Sequence, residues 1–211
     1  MTSEEAYRKA VIAQKRMPEL ETIIMQNIVN AYFYACYIIK GRWVEAEPVI
    51  IQDAEYACNY SIYVIKGRWP AAEPIIIEDA YRAYRYALHI IKGRWSEAEP
   101  NIMKDAGPAY RYALNIIKGR WLEAEPIIMQ NAFYAYRYAA DIIQGRWLEA
   151  EEIIAQGEYS VSYINMCFDE PVVTKDQVGI IQWNRCQQVG YFAPARLFER
   201  KISVLDMMVI E

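Results

Sequence analysis

Histidine is nearly missing from this chain of 211 residues: His89 is the only one. A lone imidazole, with no second imidazole and no nearby thiol, gives no support to a metal site or to a Ser-His-Asp arrangement, and it reads as a polar surface histidine. Cysteine is scarce and scattered. Cys36, Cys58, Cys167 and Cys186 include no CxxC pair, so neither a zinc knuckle nor a dense disulfide frame is indicated, and they read as packed, reduced thiols. No stretch approaches the ~20 uninterrupted apolar residues of a spanning helix. The first residues, Met1 to Lys9, carry Glu4 and Glu5 with no apolar run behind them. The expectation is therefore a soluble, unsecreted, cytoplasmic protein with no membrane role. A glycine-rich phosphate loop is missing as well, since each Lys-Gly-Arg reads as a helix stop. There is no excess of positive charge either: 27 acidic against 23 basic groups give a formal net charge of -4, which argues against wholesale attraction to nucleic acid. These absences imply no cofactor and weaken an enzymatic reading.

What is present is a repeat. With 55% hydrophobic residues the chain is apolar enough to bury a substantial core. The tripeptide Gly-Arg-Trp recurs at Gly41, Gly67, Gly93, Gly119 and Gly145, always 26 residues apart. Aligned on those glycines, five units start at Ala31, Ala57, Ala83, Ala109 and Ala135. One period earlier, Arg16-Met17-Pro18-Glu19-Leu20-Glu21 falls where Arg-Trp-x-Glu-Ala-Glu is expected, so residues 5–30 read as a degenerate first copy. An atypical end unit is what a stacked array needs, because its outer face meets water.

Each unit reads as two helices. In the third, Ala83, Ala87, Ile90 and Ile91 recur at helical spacing opposite a polar stripe of Arg85, His89 and Lys92, which makes helix A. Gly93 is expected to supply the left-handed residue that ends it. Ser96-Glu97-Ala98-Glu99 has the form of a capping box, with Pro100 in the first turn of helix B, and Ala98, Ile102 and Met103 point inward. Asp105-Ala106-Gly107-Pro108 is expected to break helix B before Ala109 opens the next helix A. Helices of about ten residues are too short to persist alone, so stacking is obligatory. The fold class expected is all-α, a short α-solenoid of 26-residue two-helix repeats. Residues 1–30 form a degenerate N-terminal capping repeat and 31–160 hold the five tandem repeats. Residues 161–211 form a helical C-terminal cap or a small appended module: Glu170-Pro171 interrupts a sixth helix A, and helices follow over Thr174 to Gln188 and Ala195 to Val209.

The run I-I-K-G-R-W-x-E-A-E-P, repeated from Ile38 to Pro126, resembles tandem helical-repeat proteins with a G-R-[WF]-x-E-x-E signature associated with bacteriophage genomes. The resemblance covers residues 31 to about 155 and implies a phage origin and an α-helical array. It brings no catalytic residue with it.

Five copies of one unit permit an internal comparison: invariant positions serve folding and stacking, whereas exposed, variable ones are free to be specific. The tryptophans Trp43, Trp69, Trp95, Trp121 and Trp147 have the alternatives of a base-stacking platform or a wedge between turns, and the wedge is expected. Tyr34, Tyr60, Tyr86, Tyr112 and Tyr138 fall on the buried side of helix A, and Arg42, Arg68, Arg94, Arg120 and Arg146 are expected to form a ladder of pairs with the following glutamates. Glutamates that recur five times in a helix's first turn suit the helix dipole better than acid/base chemistry.

One row varies: Tyr37, Tyr63, His89, Asn115, Asp141. It is flanked by Phe33, Asn59, Arg85, Arg111, Arg137 on one side and by Lys40, Lys66, Lys92, Lys118, Gln144 on the other. This strip is either a merely solvated face or the surface that grips a partner. Its candidate contact residues are Tyr37, Tyr63, Arg85, His89, Lys92, Arg111, Asn115, Lys118, Arg137 and Asp141. The function expected first is non-catalytic binding of a protein partner with an acidic face, a host defence factor among the candidates. The alternatives are nucleic-acid or nucleotide binding by the same strip, and an architectural role through Trp183, Phe192 or Met208 near the C-terminus.

Overall fold

In the computed structural model, which describes residues 1–167, the regular elements are all helical. Hairpins follow one another along the chain: α1 (Ser3–Ala13) with α2 (Pro18–Ile24), α3 (Ile28–Tyr34) with α4 (Glu47–Ile50), α5 (Ala54–Tyr60) with α6 (Glu73–Glu78), and α7 (Ala80–Tyr86) with α8 (Glu99–Ile102). Then come α9 (Ala106–Tyr112), α10 (Glu125–Ile128), α11 (Ala132–Tyr138), α12 (Glu151–Gln156) and α13 (Ser160–Cys167). The described residues fall into two compact units, Met1–Ile127 and a second that begins at Ile128. The helices expected over Thr174 to Gln188 and Ala195 to Val209, and the interruption at Glu170-Pro171, lie outside the described residues, as do Trp183, Phe192 and Met208.

Within the first unit α3, α5, α7 and α9 pack side by side, and α4, α6 and α8 each touch the helix A of their own repeat and that of the next. This is the all-α repeat fold expected from the 26-residue period. The second helix of each repeat is shorter than expected, only four residues in α8. So short a segment cannot hold its own shape in water, and its neighbours supply the order.

Helix A begins earlier than the sequence suggests. Asn27, Asp53, Asp79 and Asp105 are its N-caps: the Asp105 carboxylate accepts from the Gly107 N–H at 2.8 Å, and Asp79 from the Arg82 N–H at 2.9 Å. Asp105 to Pro108 therefore start α9 rather than breaking the chain before Ala109, because Asp is a good cap and Pro108 sits in a first turn where no N–H partner is required. The Ser96 capping box does not form. The residue before α8 is Ala98, with no side-chain cap, because Glu99 is drawn into an ion pair instead.

Helix A also ends differently. In five repeats its last turn is a π-turn: Ala35–Ile39, Ser61–Ile65, Ala87–Ile91, Ala113–Ile117 and Ala139–Ile143. In the third repeat the Lys92 N–H donates to the Ala87 carbonyl at 2.7 Å. The left-handed residue is the lysine, not the glycine: φ is 57° at Lys40 and Lys66, 59° at Lys92 and Lys118, and 56° at Gln144. None of the five glycines after them has a left-handed φ. A side chain in that region costs about 1–2 kcal/mol.

The first repeat isolates what the π-turn does. It has the same left-handed residue, Gln14 at φ 50°, but α1 is α-helical throughout, and its two fully buried alanines are Ala10 and Ala6, four and eight residues before Gln14. In the next repeat the fully buried pair, Ala35 and Ala31, stands five and nine residues before Lys40. A π-turn takes one extra residue, and the inward register shifts by one. The degenerate copy is thus in phase at its turn and one residue out of phase along its helix.

The core is small and repetitive. Ala31, Tyr34, Ala35, Trp43, Ala46 and Ile50 are each at most 1% exposed, and the same six positions are buried in the next two repeats, with Ser61 replacing one alanine. Ile90 and Ile91, expected inside, are only half-buried. The tryptophans are wedges: Trp95 lies 5.0 Å from the Tyr86 ring, and its backbone N–H donates to the Tyr112 hydroxyl of the next repeat at 2.7 Å. That hydroxyl donates in turn to Glu99 at 2.9 Å, and Glu99 is held bidentately by Arg94 at 2.8 and 2.7 Å. Tyr86 on Trp69, Glu73 and Arg68 repeats this lock, and Tyr34 on Met17, Glu21 and Arg16 builds it in the degenerate copy. The Arg–Glu pairs accordingly lie inside one repeat, and a tyrosine hydroxyl carries the coupling to the next.

These locks set an acid limit. The Arg68 guanidinium, aided by the Tyr86 hydroxyl, holds Glu73 below the usual carboxylate range although burial opposes it, and Arg94 with Tyr112 does the same for Glu99. A depressed native pKa contributes stability that is complete above the unfolded value of about 4.3 and is lost as the pH falls through the native value. The urea midpoint is expected to hold between about pH 7 and pH 5 and to fall below about pH 4. In Glu73→Gln part of that fall should vanish; a midpoint that stays level in the parent down to about pH 3 would refute the assignment.

The second unit carries the same parts. Trp147 is 4.9 Å from Tyr138, Arg146 pairs with Glu151 at 2.8 Å, and the hydroxyl of Tyr163 accepts from the Trp147 N–H at 2.7 Å while donating to Glu151 at 3.1 Å. The lock therefore extends past Ser160 into α13, with Tyr163 one residue earlier than the period would place it. Gly157, at the position where Asn131 caps α11, is required there, because a Cβ would come within 2.7 Å of the Ala132 side chain.

Candidate functional site

The polar face of helix A in the first unit is built by α3, α5, α7 and α9 with their π-turns. Tyr37 and Tyr63 are 62% and 57% exposed, large values for aromatic side chains in a folded unit. Tyr37 stacks on Phe33 at 5.8 Å, one helical turn below. His89, Lys92, Asn115 and Lys118 are exposed.

The arginines behave otherwise. Arg85 reaches back to the preceding repeat, donating to Asn59 at 2.8 Å and to the Tyr63 hydroxyl at 3.3 Å. Arg111 lies over the Tyr81 ring at 5.6 Å and is half-buried. Asn115 donates to the Tyr84 hydroxyl at 3.0 Å and to the Arg111 carbonyl at 2.9 Å. In the second unit Arg137 pairs with Asp141 at 2.9 Å. The strip arginines are thus held by neighbours within the fold. The lysines Lys40, Lys66, Lys92 and Lys118 are exposed, and among the described residues no hydrogen bond or ion pair engages their side chains.

Two clefts open between successive helix A ends. The larger, about 600 Å³, is lined by Tyr32, Cys36, Tyr37, Lys40, Gly41, Tyr63, Val64 and Lys66. The smaller, about 180 Å³, is lined by Leu88, Lys92, Gly93, Asn115, Ile116 and Lys118. Each is lined by two lysines of successive repeats and by a glycine; they differ in the two tyrosines. Burial pushes the Cys36 thiol up from its ordinary value, which leaves it neutral rather than nucleophilic. Tyr32 and Gly41 were not singled out as contact residues from sequence: Tyr32 falls on the inward side of the helical wheel, and the glycine reads as a helix stop.

Among the described residues no group of three His, Cys, Asp or Glu side chains is placed to hold a metal ion, and no helix is long and apolar enough to cross a membrane. No protein-family model matches the chain, and no curated protein or solved structure matches it either.

Proposed function

We propose that the chain is a non-catalytic binding protein whose helix A face docks on a protein partner with an acidic surface. One observation carries this: four exposed lysines recur one repeat apart with no partner of their own, while the arginines beside them are held within the fold. Unpaired cations on a rigid scaffold attract an anionic surface and fix its register. The resemblance of the repeat to phage-type arrays extends the proposal to a phage-encoded protein that acts in the host cytoplasm on a host factor, a defence protein being one such target. Tagged protein carrying Lys66→Glu, Lys92→Glu and Lys118→Glu is expected to lose, in capture from bacterial lysate, a partner that the parent retains. Equal recovery would remove this face from the proposal.

The exposure of Tyr37 and Tyr63 favours a second reading, in which the same lysines bind single-stranded nucleic acid and the tyrosines stack on bases. Its signature is affinity that falls steeply with salt as counterions are released.

A further inference from the structure

The Lys-Gly pair at the end of helix A is unexplained by the fold. Glycine stands at 41, 67, 93, 119 and 145, yet none of these has a left-handed φ, and a Cβ there would meet nothing within 4 Å. In the first repeat, which ends without a π-turn, Lys15 occupies the equivalent position, and the same left-handed residue, bidentate Arg16–Glu21 pair and Tyr34 lock still form. The strained position is likewise given to lysine in four repeats, although glycine is the residue that would relieve it. Strain and rare π-turns persist where function requires a particular side-chain placement. A glycine without an internal reason leaves room for something outside the chain to come close. Both clefts join these two features, two lysines and a glycine in the lining of each.

We infer that this face, if it binds a protein as proposed above, takes an extended acidic segment that lies along the lysine row and places an aromatic side chain in the Tyr37–Tyr63 cleft. Packed helices lie about 8–10 Å apart, and an extended segment in the polyproline-II conformation returns to the same face every three residues, about 9 Å on, so carboxylates at every third position keep step with the lysines. The open space over Gly41 and Gly93 admits the segment's backbone. The tyrosines are present only in the first cleft and give way to Asn115 in the second, so a ring is recognised once, at one end. A nucleic-acid strand would call for aromatic partners at successive clefts and would meet a chain of net charge -4.

The test uses the full chain and a fluorescein-labelled synthetic peptide of repeated Glu-Gly-Ser with one terminal tryptophan, against the same peptide ending in alanine and against labelled oligothymidine. Saturable binding of the tryptophan peptide is expected, several-fold weaker for the alanine peptide. Tyr37→Ala with Tyr63→Ala should abolish that difference, and Lys66→Glu with Lys92→Glu should weaken both peptides about tenfold or more. Gly93→Ala is expected to leave thermal unfolding unchanged while weakening both peptides, which a purely structural glycine would not do. The inference is overturned if the tryptophan advantage survives loss of both tyrosines, if Gly93→Ala leaves binding intact, or if oligothymidine binds and neither peptide does. Peptide failure while the lysine reversals still abolish partner capture overturns the segment alone, whereas capture untouched by those reversals removes the face itself.

Discussion

Trp95→Ala is expected to destabilise the first unit by about 3–5 kcal/mol, the range for removing a large buried aromatic side chain. Trp95 is 4% exposed, packs on Tyr86 of its own repeat, and gives its backbone N–H to Tyr112 of the next. Its loss opens a void at the junction of two repeats, where short helices have no other source of order. A stacked array is coupled only through nearest neighbours, so weakening an interior junction should also divide one unfolding transition into two. Urea denaturation followed by circular dichroism should show a lower midpoint with a broadened or biphasic profile and a reduced slope. A single transition within about 1 kcal/mol of the parent would show that Trp95 is not the wedge described.

The second large effect is expected from one oxygen atom. Tyr86→Phe keeps the ring but leaves the Trp69 N–H without its acceptor at 2.7 Å and Glu73 without its donor at 2.9 Å. Tyr86 is fully buried, so water cannot replace what is lost. A buried donor left unmade costs about 1–3 kcal/mol, and loss of a hydrogen bond to a carboxylate adds to that, so about 2–3 kcal/mol in total is expected. The chemical-denaturation midpoint should fall with an unchanged slope, and hydrogen exchange at the Trp69 amide should accelerate. Tyr63→Phe is the control: its hydroxyl is exposed and receives only a 3.3 Å contact from Arg85, so its effect should stay within about 0.5 kcal/mol. If the two variants are equally stable, the hydroxyl lock does not couple the repeats.

Much of this was visible in the residues and some was not, for local reasons. Gly93 suggests a left-handed helix stop because glycine is usually that residue; the structure gives the conformation to Lys92, one place earlier, through a π-turn that has no signature in residue type. A signal was nevertheless present: the buried alanines stand five and nine residues before Lys40 but four and eight before Gln14, and that offset marks the extra residue. Ser96 and Glu99 match a capping box letter by letter, yet Glu99 is already committed to Arg94 and Tyr112. Gly107-Pro108 resembles a break and is a helix start, since both residues suit the turn that follows an Asp cap.

Of the candidate face, the row itself was legible, because Tyr37, Tyr63, His89 and Asn115 vary while the core positions of the same helices repeat. Which of its charges are available was not. Arg85 and Lys92 are equally basic on a helical wheel, and only the packed arrangement turns one toward Asn59 and Tyr63 and leaves the other in solvent.

The sequence by itself determined the period, the helical class, the two-helix unit and the identity of the wedge residues, because all of these follow from spacing along the chain and from the weakness of short helices alone. The tertiary structure decided the register of helix A, the owner of the strained backbone position and the pairing of each charge. Those depend on which groups of neighbouring repeats come within hydrogen-bonding distance, and no periodicity within one strand of sequence encodes a distance between two.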